Sequence, residues 1–274
     1  MRPVLFDIFG LPINSYGVSK ALAVLVAAYL LGREFRRLGW DPERAWNMVV
    51  AATVIGFAGG KLYYLAEHAG NLTPHDFGSS GFIWYGGLIA GIATVVVMAR
   101  RYELPLGKFA GIVAAPLSLA YGIGRIGCFL AGDGTYGKPS DLPWAMAFPN
   151  GTMPTLVPVH PTALYESVFA LVLAGLLWWV RQRIAPLAVF GLYALLSGTA
   201  RFLVEQVRIN NDVLLGMTQP QLWSLVLVAV GAYLLISRHR QPGDGATSVP
   251  DMEVLPQDRS VDHNESVPSP SATR

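Results

Sequence analysis

Residues 162–180 read TALYESVFALVLAGLLWWV, an apolar stretch with a single charged side chain, Glu166. A helix of about 20 such residues spans the hydrocarbon core of a bilayer, which is about 30 Å thick. Similar stretches occur at about 15–32, 46–66, 82–99, 108–131, 187–206 and 221–237. Backbone polar groups cannot stay unpaired in lipid, so these stretches predict helices. The sequence therefore predicts an all-α, polytopic integral membrane protein with about seven transmembrane helices.

The composition supports a membrane protein and excludes several other classes. Apolar residues make up 53% of the 274 residues and charged residues only 14%, against about 25% charged in soluble proteins. A net charge of +2 is too small to indicate a nucleic-acid partner. Cys128 is the only cysteine, which excludes an intrachain disulfide and any CxxC metal motif. The sequence also has no His/Cys cluster at metal-ligand spacing, so we expect no metal site.

The distribution of basic residues predicts the orientation of the chain. Most of them follow the first, third, fifth and last apolar stretches: Arg33, Arg36, Arg37 and Arg44; Arg100, Arg101 and Lys108; Arg181 and Arg183; Arg238 and Arg240. The opposite side has only Arg2, Lys138 and Arg208 near it. Loops rich in Lys and Arg stay in the cytoplasm, so we predict that the N-terminus faces out and the C-terminus faces in.

Two segments outside the apolar stretches differ in character. Residues 132–161 combine many Gly and Pro residues with Trp144 and Phe148, which predicts an ordered, functional outside loop in a transmembrane domain of residues 1–240. Residues 241–274 are rich in Pro, Ser, Asp, Glu and Gln. Such a segment has too few apolar residues to bury a core, and we predict a disordered cytoplasmic tail.

Ionisable residues inside or at the ends of the apolar stretches are the candidates for function. They are Lys20, Lys61, Arg125, Glu166, Arg201 and Glu205. Such groups are costly in a bilayer; the alternatives to a functional role are a structural ion pair or a side chain that extends to the interface. Arg201 and Glu205 are four residues apart and share a helix face. Because a guanidinium contacts phosphate through two hydrogen bonds, Arg125 and Arg201 suggest a phospholipid head group as the ligand.

An ordered set of short motifs extends over about residues 10–240. The motifs are SYG at 15–17, GGKLYY at 59–64, YGGLIAG at 85–91, GRIGCF at 124–129, GD at 132–133, YGKP at 136–139, DLPW at 141–144, FP at 148–149, HP at 160–161, LYE at 164–166 and RFLVE at 201–205. In order and spacing this set resembles the prolipoprotein diacylglyceryl transferase family of bacterial lipoprotein maturation. No single motif is decisive, but the ordered set is specific.

The resemblance implies a reaction and a location. Enzymes of this family move the diacylglyceryl group of phosphatidylglycerol onto the lipobox cysteine thiol of a preprolipoprotein and release glycerol 1-phosphate. They need no metal or organic cofactor. The implied partners are phosphatidylglycerol and the signal peptides of preprolipoproteins, and the implied location is the bacterial inner membrane.

The resemblance also implies roles for individual residues. Arg125 and Arg201 would hold the phosphate or stabilise the departing one, and Glu205 would orient Arg201. Tyr16 would line the lipid pocket. The remaining positions matched to the substrate site are Cys128, Asp133, Gly137 and His160. His160 and Glu166 match positions for which a structural role is expected.

Three polar positions depart from the family pattern. Tyr85 stands where histidine is usual, Cys128 where asparagine is usual and Asp133 where glutamate is usual. Tyr85 is a catalytic candidate because it stands at the position of that histidine. A phenol has a pKa near 10 and is a poor base at neutral pH, so His75 is a candidate replacement base. Cys128 is either a packing residue or a transient acceptor of the diacylglyceryl group.

These departures leave alternatives open. One is a divergent transferase with a rearranged polar network. Another is a transferase with a different acceptor, or a non-catalytic lipid-binding homologue. A transporter would require internal repeats, and the two halves of the sequence show no convincing repeat.

Overall fold

The computed structural model describes residues 1–70, 72–78 and 81–239. The side chains of Ile8, Leu11, His75, Arg238 and His239 are not among the features it describes. The tail predicted to be disordered, residues 241–274, lies outside the described residues.

Seven α-helices form the described part of the chain. They are α1 (Ser15–Arg37), α2 (Pro42–Glu67), α3 (Trp84–Arg101), α4 (Leu106–Ala131), α5 (Thr162–Val180), α6 (Pro186–Glu205) and α7 (Gln219–His239). Six of them are long and apolar enough to cross a membrane. The exception, α3, begins with Trp84 and Tyr85 and ends with Arg100 and Arg101. The predicted polytopic all-α fold is confirmed.

Among the described residues, three short antiparallel hairpins connect or precede the helices. They are β1 (Val4–Ile8) with β2 (Leu11–Asn14), β3 (Met146–Phe148) with β4 (Thr155–Val159), and β5 (Asp212–Leu214) with β6 (Met217–Thr218). In register, Val4 lies opposite Asn14, Met146 opposite Val159 and Asp212 opposite Thr218.

The chain reverses direction at each connection, so the bundle has two different ends. We call the end with the three hairpins and residues 68–70, 72–78 and 81–83 the hairpin end. The other, the basic end, carries the short connections 38–41, 102–105 and 181–185 and most of the basic residues. Which end faces the cytoplasm stays a prediction.

Local sequence explains where the helices at the two ends begin and stop. At the basic end, α2 starts at Pro42, and the Asp41 carboxylate accepts a hydrogen bond of 2.9 Å from the backbone N–H of Glu43. An N-cap of this kind satisfies a backbone donor that the helix leaves free. At the hairpin end, α4 stops at Gly132, whose φ of +59° favours glycine. The stop directs residues 132–161 across the hairpin end.

Small residues let neighbouring helices approach closely. A Cβ at Gly59 of α2 would lie 2.7 Å from the backbone oxygen of Gly86 in α3, so only glycine fits this crossing. Between α4 and α5, the Ser118 hydroxyl donates to the Ala170 carbonyl at 2.8 Å, and the Ser167 hydroxyl donates to the Gly122 carbonyl at 2.9 Å. Close packing and interhelical hydrogen bonds are the main sources of helix association in a membrane.

The largest buried apolar cluster lies at the basic end, and much of the outer surface of the helices is apolar. Phe35 packs edge to face against Trp40 and Phe109, with ring centroids 5.2 and 6.3 Å away. Large apolar side chains are exposed along the helices, including Leu62, Ile89, Val172, Leu203 and Tyr233. Exposed apolar side chains over the length of a helix are expected where the surroundings are lipid.

Candidate active site

Two buried glutamates and three arginines meet at the hairpin end. Glu166 lies in the first turns of α5, and Glu205 is the last residue of α6. The arginines come from α4 (Arg125), α6 (Arg201) and the segment after α6 (Arg208). We call these five residues the arginine cluster. Three helices converge there because α4 and α6 end, and α5 begins, at the hairpin end.

Glu166 is the residue that all three arginines share. Its Oε1 accepts a hydrogen bond of 2.8 Å from Nη1 of Arg201, and its Oε2 forms an ion pair with Nη2 of Arg125. Nη1 of Arg208 lies 3.9 Å from the same Oε2. The side chain of Glu166 is only 4% exposed, and it lies at the centre of the cluster.

Glu205 holds Arg201 from the other side. Its Oε2 lies 2.8 Å from Nη2 of Arg201, four residues earlier on the same helix. Its Oε1 accepts hydrogen bonds from the Thr218 hydroxyl at 3.0 Å and from the Asn210 amide. Arg201 is therefore fixed between Glu166 and Glu205. This is the contact that the i,i+4 spacing predicts; the catalytic roles assigned to the pair stay predictions.

Arg208 connects the cluster to the 132–161 segment. Its Nη1 donates to the Thr135 carbonyl at 3.1 Å, and the Thr162 hydroxyl donates to the same carbonyl. Burial, together with the positive charge of Arg201, lowers the pKa of Arg208 below its ordinary value. From the sequence, Arg208 contributes only to the predicted orientation. The signal that could have revealed it is its position three residues after Glu205.

The arginine cluster has one positive charge more than it has negative charges, since three guanidinium groups face two carboxylates. Among the described residues, Nε of Arg125 and Nε of Arg208 are buried and donate to no hydrogen bond. The nearest carboxylate oxygen to Nε of Arg208, Oε2 of Glu205, is 3.7 Å away, beyond ordinary hydrogen-bond length. Buried donors are normally paired, so the cluster has spare capacity for an anion.

Tyr16, Cys128 and Asp133 lie beside the cluster, where α1 meets the end of α4. Tyr16 is close enough to Arg125, Cys128 and Asp133 for their charges to act on its hydroxyl. Asp133 accepts hydrogen bonds from the backbone N–H of Thr135 at 3.1 Å and from its hydroxyl at 2.7 Å. Cys128 is buried, and burial accords with packing rather than with reaction at the surface. The structure thus brings the three residues together next to Arg125.

Gly137 and His160 are placed differently: they hold the 132–161 segment against the residues after α6. The backbone N–H of Gly137 donates to the His160 carbonyl at 2.8 Å, and that of Lys138 donates to the Val207 carbonyl at 2.7 Å. A Cβ at Gly137 would lie 2.3 Å from the Val207 carbonyl oxygen. The His160 ring lies 3.3 Å from the Tyr165 hydroxyl. Their substrate-binding role stays a prediction, and the contacts described are structural.

Tyr85 lies at the start of α3, near the arginine cluster. Its hydroxyl is close enough to Arg201 and Glu205 for their charges to act on it. Its ring packs edge to face against Trp84 at 5.2 Å. The side chain of the other base candidate, His75, lies outside the described features. Whether either residue takes part in catalysis stays a prediction.

A family model described as prolipoprotein diacylglyceryl transferase matches residues 3–237. A phosphatidylglycerol–prolipoprotein diacylglyceryl transferase of Clostridium tetani is 35% identical over 250 residues, which cover 88% of this chain and 100% of that protein. Its counterpart in Chloroflexus aggregans is 30% identical over 288 residues and covers 92% of this chain and 94% of its own. A second such transferase of Clostridium perfringens is 29% identical over 251 residues, covering 89% and 97%.

Proposed function

The chain belongs to the prolipoprotein diacylglyceryl transferase family, and we propose that the arginine cluster is the site of its reaction. That reaction is the transfer of the diacylglyceryl group of phosphatidylglycerol to a prolipoprotein. The acceptor atom is the thiol of the lipobox cysteine that follows the signal peptide. The second product is glycerol 1-phosphate.

The observation that carries this assignment is the unsatisfied positive charge of the arginine cluster. Arg125 and Arg201 are fixed by Glu166, and the Nε donor of Arg125 has no acceptor among the described residues. The lipid phosphate bears a negative charge and several acceptor oxygens, which match these donors. Arg125 and Arg201 bind the phosphate, whereas Glu166 and Glu205 position the guanidinium groups.

The cluster also accounts for the chemical step. The sulfur of the acceptor attacks the glyceryl carbon of phosphatidylglycerol, and a C–S bond forms as the C–O bond to the phosphate breaks. The electron pair of the broken bond stays on the phosphate oxygen, so the leaving group becomes a phosphate monoester with additional negative charge. Preorganised donors in a site with little water stabilise such developing charge effectively.

The nucleophile must lose its proton before or during attack, because the thiolate is the reactive form of a cysteine. The net positive charge of the cluster favours the thiolate, and the proton passes to water at the hairpin end. Tyr85, near Arg201 and Glu205, serves as a polar contact to the reacting groups. A phenol is a weak base at neutral pH, so we do not assign Tyr85 the role of general base.

The cellular setting follows from the same assignment. The hairpin end faces outward from the bacterial inner membrane, and the basic end faces the cytoplasm, as the positive-inside rule predicts. This orientation places the arginine cluster on the side on which signal peptides of exported prolipoproteins present their lipobox.

A second candidate function is lipid binding without transfer. It is favoured by the replacement of three polar positions of the family pattern by Tyr85, Cys128 and Asp133. In that case the arginine cluster would still bind phosphatidylglycerol, but no group would reach the acceptor.

A transfer assay separates the two candidates. Purified protein is mixed with phosphatidylglycerol and a lipobox peptide with one cysteine, and the peptide mass is followed. We expect wild-type protein to add one diacylglyceryl group and the Arg201→Ala variant to add none at the same protein concentration. Arg183→Ala, at an exposed position of the basic end, serves as the matched control and keeps full activity. Absence of transfer by wild-type protein, with an active relative working in parallel, would contradict the proposal.

A further inference from the structure

Lys20 is a charged residue within a membrane-spanning helix, and the reaction described above assigns it no role. It lies on α1, five residues after the helix begins at Ser15, which places it about 7.5 Å along the helix axis. Among the described residues it makes no salt bridge, and its ammonium group donates to no hydrogen bond. Its ammonium instead lies 4.9 Å from the ring centroid of Tyr16.

The absence of a carboxylate partner distinguishes Lys20 from the arginines within the helices of the hairpin end. Arg125 and Arg201 each pair with a buried glutamate. An unpaired ammonium inside a bilayer is costly, and charges that remain in membrane helices usually face a partner or a ligand. A ring face attracts a cation only weakly compared with an anion.

The ammonium of Lys20 lies against the turn of α4 that carries Arg125. Gly124, immediately before Arg125 on α4, has no side chain, and a Cβ there would lie 3.2 Å from Nζ of Lys20. Lys20 is also close enough to Cys128 for its charge to act on the thiol. The ammonium therefore lies between α1 and α4, beside the residue whose Nε donor has no acceptor.

We propose that Lys20 is a further binding residue for the lipid phosphate, which contacts the head group from the α1 side while Arg125 and Arg201 contact it from the α4 and α6 side. This inference rests on the proposed function and extends it. Lysine binds phosphate as a point charge rather than through a two-pronged contact. Lys20 accordingly strengthens lipid affinity, whereas the arginines also fix the orientation of the phosphate.

The test combines lipid binding, turnover and thermal stability in Lys20→Met and Lys20→Arg. Methionine keeps the length of the side chain and removes the charge. We expect Lys20→Met to weaken phosphatidylglycerol binding about tenfold, as loss of one hydrogen bond to a charged group does. It raises the KM for the lipid, leaves the KM for the lipobox peptide unchanged and raises the unfolding temperature, because an unpaired charge has left the bilayer. Lys20→Arg keeps the wild-type lipid affinity.

Lys108→Met is the matched control, because Lys108 is exposed at the start of α4 at the basic end. Lipid binding is measured by native mass spectrometry of the detergent-solubilised full chain, with phosphatidylglycerol as the probe and inorganic phosphate as a competitor. Unchanged lipid affinity in Lys20→Met would overturn the inference and leave Lys20 as a residue that extends to the interface. The inference would also be overturned if Lys20→Met changed only the competition by inorganic phosphate, or only the KM for the lipobox peptide.

Because binding is measured separately from turnover, the inference and the proposed function fail in different ways. A wild-type protein that binds the lipid but transfers nothing would contradict the proposed function. The effect of Lys20→Met on binding would then still decide the inference.

Discussion

Two groups in which arginines contact buried glutamates lie at opposite ends of the bundle, and they differ in how completely they are paired. At the basic end, Glu34 of α1 is fully buried. Its Oε2 accepts from Nε and Nη2 of Arg37 at 2.9 and 2.7 Å, and its Oε1 accepts from Nε of Arg181 at 2.9 Å. The guanidinium of Arg181 also stacks over the Trp178 ring at 3.6 Å. We call these residues the Glu34 group.

The arginine cluster at the hairpin end is incompletely paired. Among the described residues, the buried side-chain nitrogens and oxygens that make no hydrogen bond all belong to it: Nε and Nη2 of Arg125, Oε2 of Glu166, Oε2 of Glu205 and Nε of Arg208. Both oxygens, Nη2 of Arg125 and Nε of Arg208 still lie within ion-pair distance of an opposite charge, whereas Nε of Arg125 has neither an acceptor nor an ion-pair partner among the described residues.

The difference separates a structural ion pair from a binding site. A buried charge that is fully hydrogen-bonded fixes neighbouring helices, and removing one partner is costly because the other is left buried and unpaired. A buried donor without an acceptor has no structural explanation of that kind. The Glu34 group therefore joins α1 to the end of α5, and the unpaired donors of the arginine cluster support the proposal that it binds an anion.

The largest expected difference between the two groups is in the transfer rate after one guanidinium is removed. Arg125→Ala in the arginine cluster reduces the transfer rate by a factor of about 10³, as loss of one preorganised donor to a developing charge does. The equivalent change in the Glu34 group, Arg37→Ala, leaves the rate within about twofold, because Arg37 lies in the last turn of α1, at the opposite end of the bundle from the arginine cluster. Transfer assays on equal amounts of membrane-inserted protein measure both. Equal losses in the two variants would contradict the distinction.

A change in the Glu34 group is expected to lower the stability of the protein and to leave its transfer rate almost unchanged. Glu34→Gln removes the carboxylate that binds Arg37 and Arg181, and it lowers the free energy of unfolding by about 3 kcal/mol because Arg181 loses its buried partner. The rate per folded molecule stays within about twofold of wild type, since Glu34 lies at the other end of the bundle. Denaturant unfolding in detergent gives the first quantity. A large loss of rate in the folded fraction would show that the two ends are coupled.

The smallest effect concerns the shape of one cation in the arginine cluster. Arg208→Lys keeps the charge but removes the planar guanidinium that reaches both Thr135 and Glu166. We expect about a tenfold lower transfer rate, which corresponds to about 1.4 kcal/mol. Arg183→Lys is the control, because Arg183 is exposed and stacks on Trp179 at 4.1 Å. If Arg208→Lys were as active as wild type, Arg208 would contribute only its charge.

The sequence predicts the helices well because lipid imposes a strong requirement on them. The predicted stretch 162–180 coincides with α5, and 108–131 differs from α4 only by starting two residues later. The largest differences are the five-residue extension of α1 to Arg37 and the four-residue earlier start of α2 at Pro42. The short hairpins were not predicted, since two to five residues carry too little alternation to indicate a strand.

The site was predicted in part. The pairing of Arg201 with Glu205 follows from their spacing on one helix, and the structure contains it. The central position of Glu166 depends on how α4, α5 and α6 approach one another, which no local pattern encodes. Arg208 lies outside any apolar stretch, so its charge gave no signal of burial. For Lys20 the sequence shows a charge in a membrane helix, but the lack of a partner becomes visible only once the neighbouring helices are in place.

The most direct test of the central claim is an experimental structure of the protein with phosphatidylglycerol bound. We predict that a phosphate oxygen lies within hydrogen-bond distance of Nε of Arg125, with Arg201 still held between Glu166 and Glu205. A bound lipid whose phosphate lies away from the arginine cluster, with the two Nε donors still unpaired, would contradict the account.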